Sequence, residues 1–290
     1  MYAQFFGTFL LSHNVVTKDQ LLSALGKKSS QHMKLGTLAI MKGYMTANEV
    51  DNVIISQTHN DCRFGDLAVR EGYLTQEQVD ELVKTQYPDF LLLGQTLVDE
   101  GYITNTQLET LIVDYESENE LTDLDYSNEK QDDFDRILAN FFHTTDVAAD
   151  EYNASYMRLL FNDLTRFIGD DFTPLCFNPC KEYPVNYCVS QTIHGDLSAK
   201  VYLDMPETTC ISFASRYVNE EFTEFDEYVQ ASLEDFLNLQ NGLFIVNVSN
   251  TSNTELTLGA PEHITVSPIQ FSGRTLHIPV LYTFGTIDFY

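Results

Sequence analysis

The 290-residue chain has no tryptophan, only five cysteines, and only 16 basic residues against 43 acidic ones, a net charge of −27 at pH 7. Each shortage excludes something. So few bases argue against a general nucleic-acid binder, which needs a cationic footprint for phosphates. They argue equally against docking on an anionic membrane surface. No apolar run approaches the ~20 residues of a spanning helix, so no membrane insertion is expected. The opening MYAQFFGTFLLSHNVV has no basic region before its apolar stretch, so no signal peptide is read. An odd, small number of cysteines in a long chain favours a reducing cytoplasm over a disulfide framework. The aromatic bulk comes from 16 Tyr and 20 Phe, and a 43% hydrophobic share is enough for a core in one large domain or two ordinary ones.

An internal repeat organises the first 115 residues. Gly7, Gly36, Gly65 and Gly94 stand 29 residues apart. Seven residues after each comes Asn14, Gly43, Gly72 or Gly101, then Thr17, Thr46, Thr75 or Thr104, then Gln20, Glu49, Gln78 or Gln107. The next residue is apolar every time: Leu21, Val50, Val79, Leu108. The pattern predicts a short helix from near the first Gly to the second turn former, which takes the left-handed conformation. Thr-x-x-Gln/Glu then predicts a capping box opening a second helix. Each unit is a helical hairpin too small to bury its own face, so the four share one core.

The second and third units read KLGTLAIMKGYMTANEVDNVIISQ, from Lys34 to Gln57, and RFGDLAVREGYLTQEQVDELVKTQ, from Arg63 to Gln86. These resemble the MshEN domain, the N-terminal module of type II secretion and pilus ATPases, whose RLGxxLxxxGxxxxxxLxxxLxxQ pattern recurs with the same period. The resemblance implies cyclic di-GMP as ligand, with Lys34, Gly36, Gln57, Arg63, Gly65 and Gln86 as binding residues. An Arg fork suits guanine or phosphate, and Lys34 lacks that planar fork. Ala39 and Ala68 stand where the family has Leu. No Walker motif, GxSxG or GxGxxG is present, so the chain is not itself a secretion ATPase.

From Asp114 to Asp135 the sequence holds ten acidic residues and one lysine, which reads as a solvated linker, placed at 116–149. Residues 150–290 read as α+β. An apolar-striped helix covers 151–168 and an irregular or extended stretch covers 174–187. A hairpin turns at His194-Gly195-Asp196, and a helix starts at Pro206. A long helix covers 225–244. Strand-like stretches follow at 255–258, 263–270, 275–281 and 282–290. Cys176, Cys180, Cys188 and His194 lack the spacing of a zinc site, so no metal is assigned.

The hairpin at Gly195 with VYLDM, and ASLEDFLNLQNG from Ala231 to Gly242, resemble the CheC/CheX/FliY chemotaxis phosphatases, whose long helix carries DALGE-x-x-N-x-x-x-G. The resemblance implies catalytic roles for Asp235 and Asn238, which share a helix face at i and i+3. The implied substrate is the aspartyl phosphate of a CheY-like response regulator. That partner carries its own Mg²⁺, so the chain needs no cofactor of its own. In the family the Asn orients the attacking water and the Glu contacts the regulator's basic residue. Asp235 is one methylene shorter than that Glu. The expectation is therefore a two-domain cytoplasmic bacterial signalling protein: helical repeats at 1–115, then a CheX-like domain at 150–290. It acts as a binding or adaptor module for a CheY-like regulator or other signalling protein. The alternatives are an aspartyl-phosphate phosphatase and a scaffold in motility or secretion machinery. The resemblance also allows a homodimer.

Overall fold

The computed structural model describes residues 2–28, 30–85, 87, 89–119, 137–138, 141, 151–252, 254–265 and 267–290. The chain divides into two compact units, Met1–Ile137 and Leu138–Tyr290.

The first unit is a set of helical hairpins: α1 (Tyr2–Ser12) with α2 (Lys18–Lys28), α3 (Leu35–Met41) with α4 (Ala47–Gln57), α5 (Phe64–Arg70) with α6 (Gln76–Lys84), and α7 (Asp89–Asp99) with α8 (Asn105–Glu118). In every hairpin the turn former has positive φ: 55° at Asn14, 66° at Gly43, 83° at Gly72 and 71° at Gly101. The second helix of each opens on a reciprocal cap. Gln20 N–H donates to Thr17 Oγ1 at 3.3 Å while Thr17 N–H donates to Gln20 Oε1 at 2.8 Å. The same box forms at Thr46/Glu49, Thr75/Gln78 and Thr104/Gln107. Each is worth about 1 kcal/mol.

The hairpins differ where they begin. α3 and α5 start one residue before Gly36 and Gly65, but α1 and α7 start five residues before Gly7 and Gly94. The outer hairpins carry YAQFF and DFLLL there, apolar residues that gain by packing as helix; the inner ones carry polar QHMK and NDCR. The first hairpin packs on the fourth (α1 and α2 against α7), the second on the third (α4 against α5, α3 against α6). Phe6, Phe90 and Tyr115 close the outer pair, with ring centroids 5.1–5.3 Å apart. α8 runs to Glu118, so residues 116–118 of the expected linker are helical; residues 120–136 and 142–150 lie outside the described residues.

The second unit is α+β. α9 (Glu151–Asp163) runs into a π-helical turn (Leu164–Ile168). Then come β1 (Phe172–Pro174), β2 (Asn178–Tyr183), β3 (Cys188–Gly195), β4 (Ala199–Asp204), α10 (Glu207–Val218) and α11 (Glu227–Ser252). β5 (Leu256–Leu258), β6 (Glu262–Ile264), β7 (Ile269–Tyr282) and β8 (Gly285–Phe289) complete it. The sheet is antiparallel in the order β1-β7-β8-β4-β3-β5, with β2 also on β7 and β6 also on β3. α11 packs on α9, α10 and β3. The β3–β4 hairpin turns through Gly195 at φ 133°, where a Cβ would collide with the Glu255 carbonyl.

The stretch 174–187, read as irregular or extended, holds β2 and the last residue of β1; the prolines Pro174 and Pro179 are tolerated because β7 holds both short strands at an edge. Two expectations are corrected. The two strands expected at 263–270 and 275–281 resolve differently. β6 ends at Ile264, and a single 14-residue β7 runs through Gly273. α11 continues eight residues past 244. Val248 is β-branched, but it is 2% exposed and its burial on the helix outweighs its strand propensity.

Arg216, near the end of α10, ties the fold's far corner: it pairs with Asp171, donates to the Ile168 carbonyl at 3.3 Å and lies 4.5 Å over the Phe284 ring. Burial works to raise the Asp171 carboxyl, but hydrogen bonds from Arg216 and Thr283 outweigh it and hold the group below its usual 3.8. The Cys188 and Cys210 thiols are buried and pushed up to about 12, as inert core thiols are. Among the described residues no group of three His, Cys, Asp or Glu side chains is placed to hold a metal, and no helix is long and apolar enough to cross a membrane.

Candidate functional site

α11 opens on Asp226, whose Oδ1 accepts the backbone N–H of Tyr228 at 3.0 Å and Val229 at 2.9 Å. Its buried stripe is Val229, Leu233, Phe236, Leu237, Gln240, Phe244 and Val248. Those positions recur at i, i+3, i+4 and i+7, so the opposite face is left to solvent. Asp235 and Asn238 both lie on that exposed face, about 60° apart around the axis by helix geometry. Gly242 sits between them in projection, with nothing within 4 Å of where its Cβ would stand. In mid-helix a glycine costs up to about 1 kcal/mol relative to alanine and here gains no internal packing.

Each of the two polar side chains is held by one atom. Asp235 Oδ2 accepts the Tyr217 hydroxyl of α10 at 2.7 Å. Burial and the Asp235 carboxylate both push that phenol up. Asn238 Oδ1 accepts Gln191 Nε2 of β3 at 2.8 Å. Gln191 is fully buried, and its amide orientation is fixed, because Nε2 also donates to the Gly259 carbonyl at 2.9 Å. Its Oε1 accepts Asn241 Nδ2 at 2.8 Å, and Asn241 Oδ1 accepts the Tyr156 hydroxyl of α9 at 2.9 Å. One directional relay thus runs from Tyr156 through Asn241 and Gln191 to Asn238. Among the described residues Asp235 Oδ1 and Asn238 Nδ2 have no protein partner, so the face presents a free carboxylate oxygen and a free amide NH₂. Glu234, adjacent in sequence, is turned away and paired with His263 of β6.

In the first unit Lys34 and Arg63 are the N-cap residues of α3 and α5. Gly36 and Gly65 stand where these helices cross: a Cβ on Gly36 would lie 3.1 Å from the Phe64 ring, and one on Gly65 3.1 Å from Leu35. Each glycine is also pressed by its own hairpin, Gly36 by Val50 at 2.8 Å and Gly65 by Val79 at 3.1 Å. Helix packing alone therefore accounts for both glycines. Lys34 Nζ is paired with Asp99, and Gln57 Nε2 donates to the Cys62 carbonyl at 3.0 Å. Arg63 has no partner among the described residues, and Gln86 lies outside them.

No family model matches the chain. No curated protein matches it either. Among solved structures, the C-terminal half is similar to a CheC-like superfamily protein from Shewanella: 15% identity over 49% of this chain and 96% of that one, TM-score 0.43. It is similar to the chemotaxis protein CheX from Desulfovibrio desulfuricans: 13% identity, 49% and 99% covered, TM-score 0.42. It is also similar to a chain of the CheX–CheY–BeF₃–Mg²⁺ complex from Borrelia burgdorferi: 17% identity, 48% and 95% covered, TM-score 0.41.

Sequence reasoning placed Asp235 and Asn238 on one helix face but missed the residues that hold them: Tyr217, Gln191, Asn241 and Tyr156. A buried polar side chain needs partners. The signal lay in Asn241, three residues after Asn238 on the inward face, and in Gln191, a polar residue inside a strand. Nothing in the sequence paired them, because β3 and α11 meet only in the folded unit.

Proposed function

We propose that the exposed face of α11 docks a phosphorylated CheY-like response regulator, and that it binds with little turnover. The reading is supported by the sequence resemblance of Ala231–Gly242 and, above all, by the fixed orientation of Asn238. Because Gln191 engages one lone pair of Oδ1, the wholly free group offered to a partner is the Nδ2 donor. A phosphoryl group presents only acceptor oxygens, so this donor suits it. An attacking water is oriented by an acceptor that receives a hydrogen bond from it and leaves a lone pair aimed at phosphorus. That acceptor is Oδ1, which already accepts from Gln191, so one lone pair is left to hold a water and its direction is set by that bond. Asp235 offers its free oxygen to a basic residue of the regulator, but its stem falls short of a Glu by ~1.5 Å. A misplacement of about 1 Å costs on the order of 10² in rate. Gly242 leaves room for a partner's backbone to come close. The test is calorimetric titration with a CheY-like receiver, with and without beryllofluoride and Mg²⁺. The activated receiver binds at least about tenfold tighter, and Asn238→Ala removes that preference. Equal affinity for the two forms of the receiver refutes the reading.

A second reading concerns the first unit and rests on a comparison between hairpins. Leu25 and Ile112 of the outer pair are 2% and 4% exposed, but the equivalent Ile54 and Val83 of the inner pair are 44% and 71% exposed. The inner pair leaves an apolar face open, and its Arg63 has no partner among the described residues. We propose cyclic di-GMP as its ligand, stacked on that face and held by Arg63. Titration of cyclic di-GMP gives micromolar or tighter binding that Arg63→Ala abolishes; absence of heat would leave the hairpins as a docking module.

A further inference from the structure

The second unit contains a cavity of about 340 Å³, bounded by α9, α11, the β3–β4 hairpin, the middle of β7 and the end of β8. It is roughly twice the ~150 Å³ that houses a benzene ring in a dry apolar core. Met157, Ile193, Val201, Phe244, Leu276 and Phe289 give it an apolar wall. Two cations lie at its edge. Lys200 is neutralised, its Nζ donating to Glu262 at 3.0 Å. Arg274 is exposed and has no partner among the described residues. A free guanidinium stands out in a chain of net charge −27. Arg274 is the first base after Arg216. An apolar chamber with one uncompensated cation at its mouth selects an amphipathic anion. The cavity also touches the relay. Tyr156 walls it, its ring 5.2 Å from Phe244, and the same Tyr156 hydroxyl donates to Asn241 at the head of the chain that ends on Asn238.

We propose that this cavity is a regulatory site for a small amphipathic carboxylate, with its tail against Tyr156 and Phe244 and its carboxylate on Arg274. Occupancy alters the hydrogen bonding of Asn238 through Asn241 and Gln191. The coupling rests on the docking role given to Asn238; the binding itself does not.

The probe is decanoate, titrated by calorimetry into the full chain beside 1-decanol. Decanoate binds saturably at one site. Arg274→Gln weakens it about tenfold and leaves decanol unchanged. Ala199→Phe, which fills the chamber from its rim, abolishes both. Side-chain amide NMR then shows the Asn238 NH₂ signals moving on saturation, and not moving in Tyr156→Phe. No saturable binding overturns the site. Equal loss for decanoate and decanol in Arg274→Gln overturns the carboxylate assignment. Binding without movement of the Asn238 signals overturns the coupling. None of these experiments contains a receiver domain, so failure here and failure of receiver binding are read separately.

Discussion

Gln191 is the hinge of the site, and replacing it with methionine tests the relay at constant volume. In the native unit Gln191 and Asn241 are both fully buried and satisfy one another. Gln191→Met removes three hydrogen bonds, but their consequences differ. Asn238 Oδ1 is exposed and is rehydrated at no cost. The half-buried Gly259 carbonyl is largely rehydrated. Asn241 Nδ2 stays buried without a partner. The cost is therefore that of one orphaned buried donor, about 1–3 kcal/mol. For a unit of this size that is a fall in Tm of about 2–12 °C. Asn241→Leu orphans Gln191 Oε1 and the Tyr156 hydroxyl and costs at least as much. If the relay is one network, these costs do not add. The triple variant Tyr156→Phe, Asn241→Leu, Gln191→Met removes every orphan together and recovers to within about 1 kcal/mol of the parent. The assay is urea unfolding followed by near-ultraviolet tyrosine dichroism and far-ultraviolet dichroism together. Additive losses of about 4 kcal/mol or more in the triple variant would refute the reasoning.

The glycines separate by sign. Gly242→Ala, with open space around the new methyl, stabilises the second unit by about 0.5–1 kcal/mol in thermal unfolding. Gly36→Ala forces a methyl to within 2.8 Å of Val50 and destabilises the first unit by about 1–3 kcal/mol. Thr104→Ala, which removes one capping box, costs about 1 kcal/mol in the same assay, and Thr104→Ser restores most of it. The Asp171 carboxyl is held below 3.8 in the folded unit, so its contribution is complete above that value and is lost as pH falls through the folded pKa. Asp171→Asn accordingly flattens the acid limb of a pH–stability curve and leaves its alkaline limb unchanged.

Much of the fold was legible because its signals are local. Thr17, Thr46, Thr75 and Thr104 announce their caps, and Asn14, Gly43, Gly72 and Gly101 their turns, through chemistry within four residues. The hairpin at Gly195 and the helix after Pro206 are of the same kind. β2 reads in sequence only as irregular or extended, because its pairing with β7 is a long-range event that no local pattern encodes. The early starts of α1 and α7 were missed because the repeat was read as uniform, whereas only the outer hairpins bury their leading residues. Within the site, helical spacing set Asp235 and Asn238 side by side. The atom each presents depends on Tyr217 and Gln191, 18 and 47 residues away, and no local pattern encodes that.

Phosphate release tests the central claim most directly. A phosphorylated CheY-like receiver is mixed with saturating protein and its dephosphorylation is followed in a single turnover. With Asn238 Oδ1 engaged by Gln191, release stays within about twofold of the receiver's own rate, and Asn238→Ala does not alter it. An acceleration of about tenfold or more that disappears in Asn238→Ala would contradict the claim and make the chain a phosphatase.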